Sequence, residues 1–179
     1  MTLARLLVAS ALPLLAIACA APAPTPAPSP APTPVASAPP PEIAVPTRTY
    51  ENWLDAPVTP GDWTYANEPG ESLALFGTAG SPVFIMRCDK ATRRVGIARV
   101  GSAEGNVPVR IRTETAERVV TATPRGGARP LVFAEFDARD TILDAMAFSR
   151  GRFGIEAAGF GALYVPAWPE VSRIVEDCR

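Results

Sequence analysis

Hydrophobic residues in this chain fall in short runs divided by glycine, proline and charged clusters, and runs of that length argue strands over helices. Read from residue 60 onward, the runs are "DWTYA" at 62–66, "SLALF" at 72–76, "VFIMRC" at 83–88, "VGIARV" at 95–100, "VPVRIRT" at 107–113, "RVVTAT" at 118–123 and "LVFAEF" at 131–136. The clearest alternation is in 107–113, where Val107, Val109 and Ile111 take one face and Arg110 and Arg112 the other. "PRGGARP" between the last two runs predicts a hairpin turn around Gly126 and Gly127. The connections are too short for parallel crossovers, so the strands are expected to pair antiparallel in a sandwich or partly closed barrel.

Two stretches break the period-two pattern. "ARDTILDAMAFS" groups Ile142, Leu143 and Met146 at helical spacing, with Asp137 or Asp140 placed to cap the start. The closing stretch sets Pro169 and Glu170 at a helix start, and then Val171, Ile174, Val175 and Cys178 at i, i+3, i+4 and i+7. Cys178 therefore belongs to the buried stripe of the last helix. Between the helices, "GRFGIEA" and "ALYVP" read as one further hairpin around "AGFG".

The first 46 residues follow other rules. Arg5 precedes an apolar run from Leu6 to Ala18 that is too short to remain as a membrane-spanning helix, so residues 1–18 read as an export signal. "LLAIAC" resembles a bacterial lipobox, which makes Cys19 the expected lipidation site and the new N-terminus. "AIA" also fits ordinary signal cleavage, which would leave a soluble periplasmic or secreted product with a thiol at Cys19. Residues 19–46 hold eleven prolines and a single charge, Glu42. Proline fixes φ and lacks a donor, so this linker is expected to be disordered or polyproline II, spanning up to about 80 Å when extended. Residues 47–179 then form one domain large enough for its own core.

The cysteines follow from that address. In an oxidising compartment, and with Cys19 taken by lipid, Cys88 and Cys178 remain as a pair. Cys88 ends a strand on the same face as Phe84 and Met86. A bridge would pin the terminal helix to the sheet and, by closing so long a loop, stabilise by about 4 kcal/mol in the chain-entropy picture.

Charge and composition narrow the chemistry. The chain carries sixteen arginines, one lysine (Lys90) and no histidine, and its formal net charge is -1. A balance so close to zero argues against a nucleic-acid partner. Without histidine there is no Ser-His-Asp or Cys-His arrangement, and the usual zinc ligands are lacking. "FGTAG" and "GFGAL" match neither a P-loop nor a dinucleotide fingerprint. No cofactor or metal is expected, and no catalytic residue is singled out. Carboxylate-only chemistry would need pairs such as Glu135 with Asp137, or Asp140 with Asp144. Arg150 and Arg152 in "SRGRF" alternate with Gly151 and Phe153 and are the candidate ligand-binding residues, either gripping a carboxylate or phosphate or pairing with Asp137, Asp140 or Asp144. Trp53, Trp63 and Trp168 are read as closing the ends of the core, with a sugar-stacking platform as the alternative.

"DWTY" at 62–65, "SLALF" at 72–76, Cys88 after its strand and "RIVEDCR" at 173–179 together resemble a group of uncharacterised exported lipoproteins of alphaproteobacteria, sphingomonad-like ones in particular. The layout is also faintly similar to invasion-associated locus B proteins, which are periplasmic β-rich domains with a late cysteine. The resemblance implies a cell-envelope address and supplies no catalytic residue. The expected function is a lipoprotein held to the membrane by its N-terminal lipid, with a periplasmic domain that binds or scaffolds an envelope protein or polymer. The alternatives are an envelope hydrolase using paired carboxylates and a structural lipoprotein with no specific ligand.

Overall fold

Side chains that alternate along a strand put one face of a sheet in need of cover, and here the sheet folds over itself to supply it. A computed structural model describes Tyr50 and residues 52–179. The expected signal segment 1–18, Cys19 and the linker 19–46 lie outside the described residues. The strands are β1 (Asp62–Asn67), β2 (Glu71–Thr78), β3 (Ser81–Asp89), β4 (Arg94–Val100), β5 (Val107–Arg112), β6 (Glu117–Arg125), β7 (Leu131–Asp137), β8 (Arg152–Ala157) and β9 (Leu163–Pro166). Helices α1 (Thr141–Ala147) and α2 (Pro169–Asp177) interrupt and close them. All pairings are antiparallel, and the spatial order is β1-β2-β3-β4-β7-β6-β5-β8-β9. The expected mainly β, antiparallel, partly closed architecture with two short helices is the one observed.

The sheet turns its corner inside β6. Residues Glu117 to Ala122 of that strand pair with β5, while Thr123 to Arg125 pair with β7. A strand that changes partners along its length bends the sheet, and the two halves meet over one core. Phe84 of β3 and Phe153 of β8, from opposite halves, stand edge to face with centroids 5.9 Å apart. Trp63 packs on Phe76 at 5.3 Å and on Phe84 at 6.1 Å. Aromatic pairs at such spacings add to the stabilisation from buried area alone.

The outermost strands are tied to each other and to the chain that leads into β1. Trp63 Nε1 of β1 donates to the carbonyl of Pro166 on β9 at 2.9 Å. Thr59, on the strap that leads into β1, exchanges two bonds with Tyr164 of β9: its N–H donates to the carbonyl, and its hydroxyl accepts from the N–H, both at 2.9 Å. A bare edge would be a template for another strand, and the strap occupies the edge of β9 at Tyr164.

Turn chemistry fixes the registers. Asp89 accepts the N–H groups of Ala91 and Thr92 at 3.0 Å, which shapes the β3–β4 turn and lets Arg93 sit at φ 54°. The carboxylate hydrogen bonds, that of Thr92 first, hold the Asp89 acid below its usual range. Gly77 marks a register shift in the β2–β3 pair, where a Cβ would lie 2.5 Å from the Ser81 carbonyl oxygen.

Asp140 caps α1, accepting from Ile142 N–H at 2.9 Å, and binds Arg118 through both carboxylate oxygens at 2.6 and 2.7 Å. Helix α2 lies against β1, β2 and β3 and buries Val171, Ile174 and Val175. Cys178, two percent exposed, is bonded to Cys88 with Cα atoms 5.4 Å apart. The stripe predicted for the last helix is thus the one that packs. Tyr65 adds a second link, donating its hydroxyl to Asp177.

Candidate functional site

Antiparallel pairing carries Arg110 and Arg112 of β5 into one register with charges from both neighbouring strands. Arg110 stands opposite Val119 on β6 and Glu156 on β8; Arg112 stands opposite Glu117 on β6 and Gly154 on β8. Their partners Val109 and Ile111 face the core, so the arginines must face outward. A groove of about 680 Å³ opens over this outward face, lined by Arg110, Arg112 and Glu156 with Tyr50, Val119 and Phe160 among its walls. That is the volume range of small-molecule sites, which combine apolar walls with a few convergent polar groups.

The charges differ in how firmly they are held. The side chains of Arg112 and Glu156 are 16% and 11% exposed, and their ion pair is 3.3 Å long. Arg112 also donates to the carbonyl of Tyr50 at 3.4 Å. Its Nε lies 3.1 Å from Glu117, yet the approach is off-axis and that N–H has no well-directed acceptor. Arg110 is 48% exposed, and its nearest carboxylate oxygens are 3.6 Å and 3.9 Å away, on Glu117 and Glu156. Contacts of that length leave its donors open to an incoming anion. Tyr164 is wholly buried with an unpartnered hydroxyl, and burial raises its pKa above the ordinary value. Tyr50 covers it edge to face at 6.1 Å.

The residues singled out from the sequence lie elsewhere. Arg150 precedes β8, because Gly151 at φ 75° turns the chain there, and its exposed side chain sits 3.5 Å from Glu114. Arg152 opens β8 and donates to the carbonyl of Ala56 beneath the strap. The two therefore do not share a strand face, and neither pairs with Asp137, Asp140 or Asp144. Those acids have other partners: Asp137 accepts from the Arg139 N–H, Asp140 holds Arg118, and Asp144 binds Arg179 at 2.7 Å. Glu135 stands 3.5 Å from Arg94 on the outside of the sheet and does not line the groove. Trp53 and Trp63 are buried, Trp168 is exposed, and they form no platform. Lys90 is tied in its turn to Asn67 and to the carbonyl of Glu68.

The groove arginines were visible in the sequence only as the solvent side of an alternating strand. The usable signal was that "VRIR" and "RFGIEA" both alternate, so that pairing the two strands sets a polar position of one beside a polar position of the other. No helix among the described residues is long and apolar enough to cross a membrane. Comparison with protein-family models, curated proteins and solved structures finds no match to this chain.

Proposed function

We propose that the protein is a cell-envelope lipoprotein, lipidated at Cys19, whose periplasmic domain binds or scaffolds an envelope protein or polymer through the groove over β5 and β8. The observation that carries this reading is the groove itself: about 680 Å³, with half-exposed Arg110 loosely paired above the firmly held Arg112–Glu156 ion pair. A fixed pair sets the geometry, and a loosely held guanidinium remains to engage a carboxylate or phosphate. Val119, 57% exposed in the groove wall, supplies apolar contact beside it. The Cys88–Cys178 disulfide supports an oxidising compartment, and the basic, apolar and small-residue order of residues 1–18 supports export.

Two experiments test the reading. Cells treated with globomycin and fed a fatty-acid probe should accumulate unprocessed protein, and untreated cells should label it at Cys19; unchanged processing without label refutes the anchor. For the groove, Arg110→Ala should abolish recovery of the envelope partner by crosslinking while leaving thermal stability within about 0.5 kcal/mol, because the residue is half exposed and its ion pairs are long. Full recovery with Arg110→Ala would remove the groove from the account.

A further inference from the structure

On β4 the inward row reads Val95, Ile97, Arg99, and the last of these is out of place in an apolar core. Arg99 lies opposite Phe84 on β3 and Val132 on β7, one residue before the end of β4, and is 8% exposed. One end of its guanidinium is satisfied: Nη1 donates to the carbonyls of Val83 at 3.1 Å and Val100 at 2.8 Å. The Nε atom is not. Nε is buried with no acceptor, and no carboxylate lies within ion-pair distance among the described residues. Burial lowers the pKa of the group, but an arginine keeps its proton in proteins, so a full positive charge stays in the core.

The surroundings suit a ligand better than a second strut. Phe160, from the β8–β9 turn, lays its ring over the guanidinium with the centroid 5.6 Å from Cζ. It can do so because Gly101 has no Cβ; one there would stand 2.5 Å from the ring. On the inner side a void of about 10 Å³ is lined by Arg99 with Phe84, Val109, Ala122, Val132 and Ile155, all apolar but the arginine. The ring that lies on the guanidinium is half-buried and carried on a turn.

We propose that Arg99 is a carboxylate-binding site near the end of β4, reached when the Phe160 ring moves aside. The Nε edge of a guanidinium offers two parallel donors at the spacing of the two oxygens of one carboxylate. A single negative charge neutralises the single positive one, whereas a doubly charged phosphate would leave net charge among the apolar walls. The void holds no more than about one water, so the ligand's remainder stays outside it, and the ligand is either a short free acid or the terminal carboxylate of a chain. The Phe160 ring is shared with the wall of the Arg110 groove, but the donors differ, so Arg110→Ala and Arg99→Met test the two sites independently.

The test titrates the full chain with propionate, and in parallel with N-acetyl-alanyl-alanine, against chloride at equal ionic strength. The melting temperature should rise by about 5 °C at tenfold excess over the dissociation constant. In the NMR spectrum the Arg99 Nε–H resonance, assigned by its loss in Arg99→Met, should move saturably over the same range. A response to propionate alone marks a free acid as the ligand, and a response to the peptide alone marks a chain end. Arg99→Met should melt at one temperature in all three solutions; should it not fold, Arg99→Lys keeps the charge without the fork and should weaken binding at least tenfold. No saturable change with either probe, or an equal rise in Arg99→Met or Arg99→Lys, overturns the proposal.

Discussion

At the scale of single residues, the turn at Asp89 and the bulge at Gly77 determine whether β2, β3 and β4 keep their register. The Asp89 carboxylate is held ionised by N–H donors, so its pKa lies below the free value of 3.8. A carboxylate whose native pKa is depressed adds stability above the unfolded pKa and loses it as pH falls through the native one. Stability should therefore decline more steeply in the wild type than in Asp89→Asn between about pH 4 and pH 2, as measured by urea denaturation. Parallel curves would mean that the turn bonds are not made in solution. Gly77→Ala should cost about 3 kcal/mol by the same measurement, since the new Cβ would stand 2.5 Å from one backbone oxygen and 2.7 Å from Pro82 Cα. The groove depends on such local terms as well. Glu156→Gln leaves Arg112 largely buried beside a neutral partner, and should destabilise by about 2 kcal/mol where Arg110→Ala does not.

At the scale of elements, the last helix shows how far a periodic pattern can be trusted. Val171, Ile174, Val175 and Cys178 were legible as one stripe because helical spacing leaves no other face for them, and the structure buries all four. The hairpin at Gly126 and Gly127 and the alternation of β5 were legible for the same local reason. That Arg150 and Arg152 do not share a strand face is not legible, because sequence spacing cannot show that Gly151 takes a positive φ just before β8 begins at Arg152. Arg99 looks in the sequence like part of a plain apolar run, since its neighbours Ala98 and Val100 hide the fact that it points inward. Reduction of the disulfide should release α2 first. The expected loss is about 2–4 kcal/mol, with hydrogen exchange rising in 169–178 well before it rises in β3. Uniform exchange along the chain would show that the bridge does not secure that helix in particular.

At the scale of the whole molecule, the two halves of the sheet are joined through β6, the Trp63–Pro166 bond and one aromatic core. The partner exchange within β6 is not legible in "ERVVTATPR", because each half of that strand alternates correctly and only the long-range pairing reveals the corner. Nor could the groove be read from spacing, since three strands and the residue Tyr50 must meet to make it. With a shared core, unfolding should be a single transition by fluorescence and by circular dichroism.

The most direct test of the groove as the binding face is photo-crosslinking in intact cells. A photoreactive residue is placed at Val119 in the groove wall and, for comparison, at Phe148, which is more exposed but does not line the groove. The account predicts one discrete adduct from position 119, lost with Arg110→Ala, and none from 148. Adducts of equal yield from both positions, or an adduct at 119 that Arg110→Ala leaves intact, would contradict it.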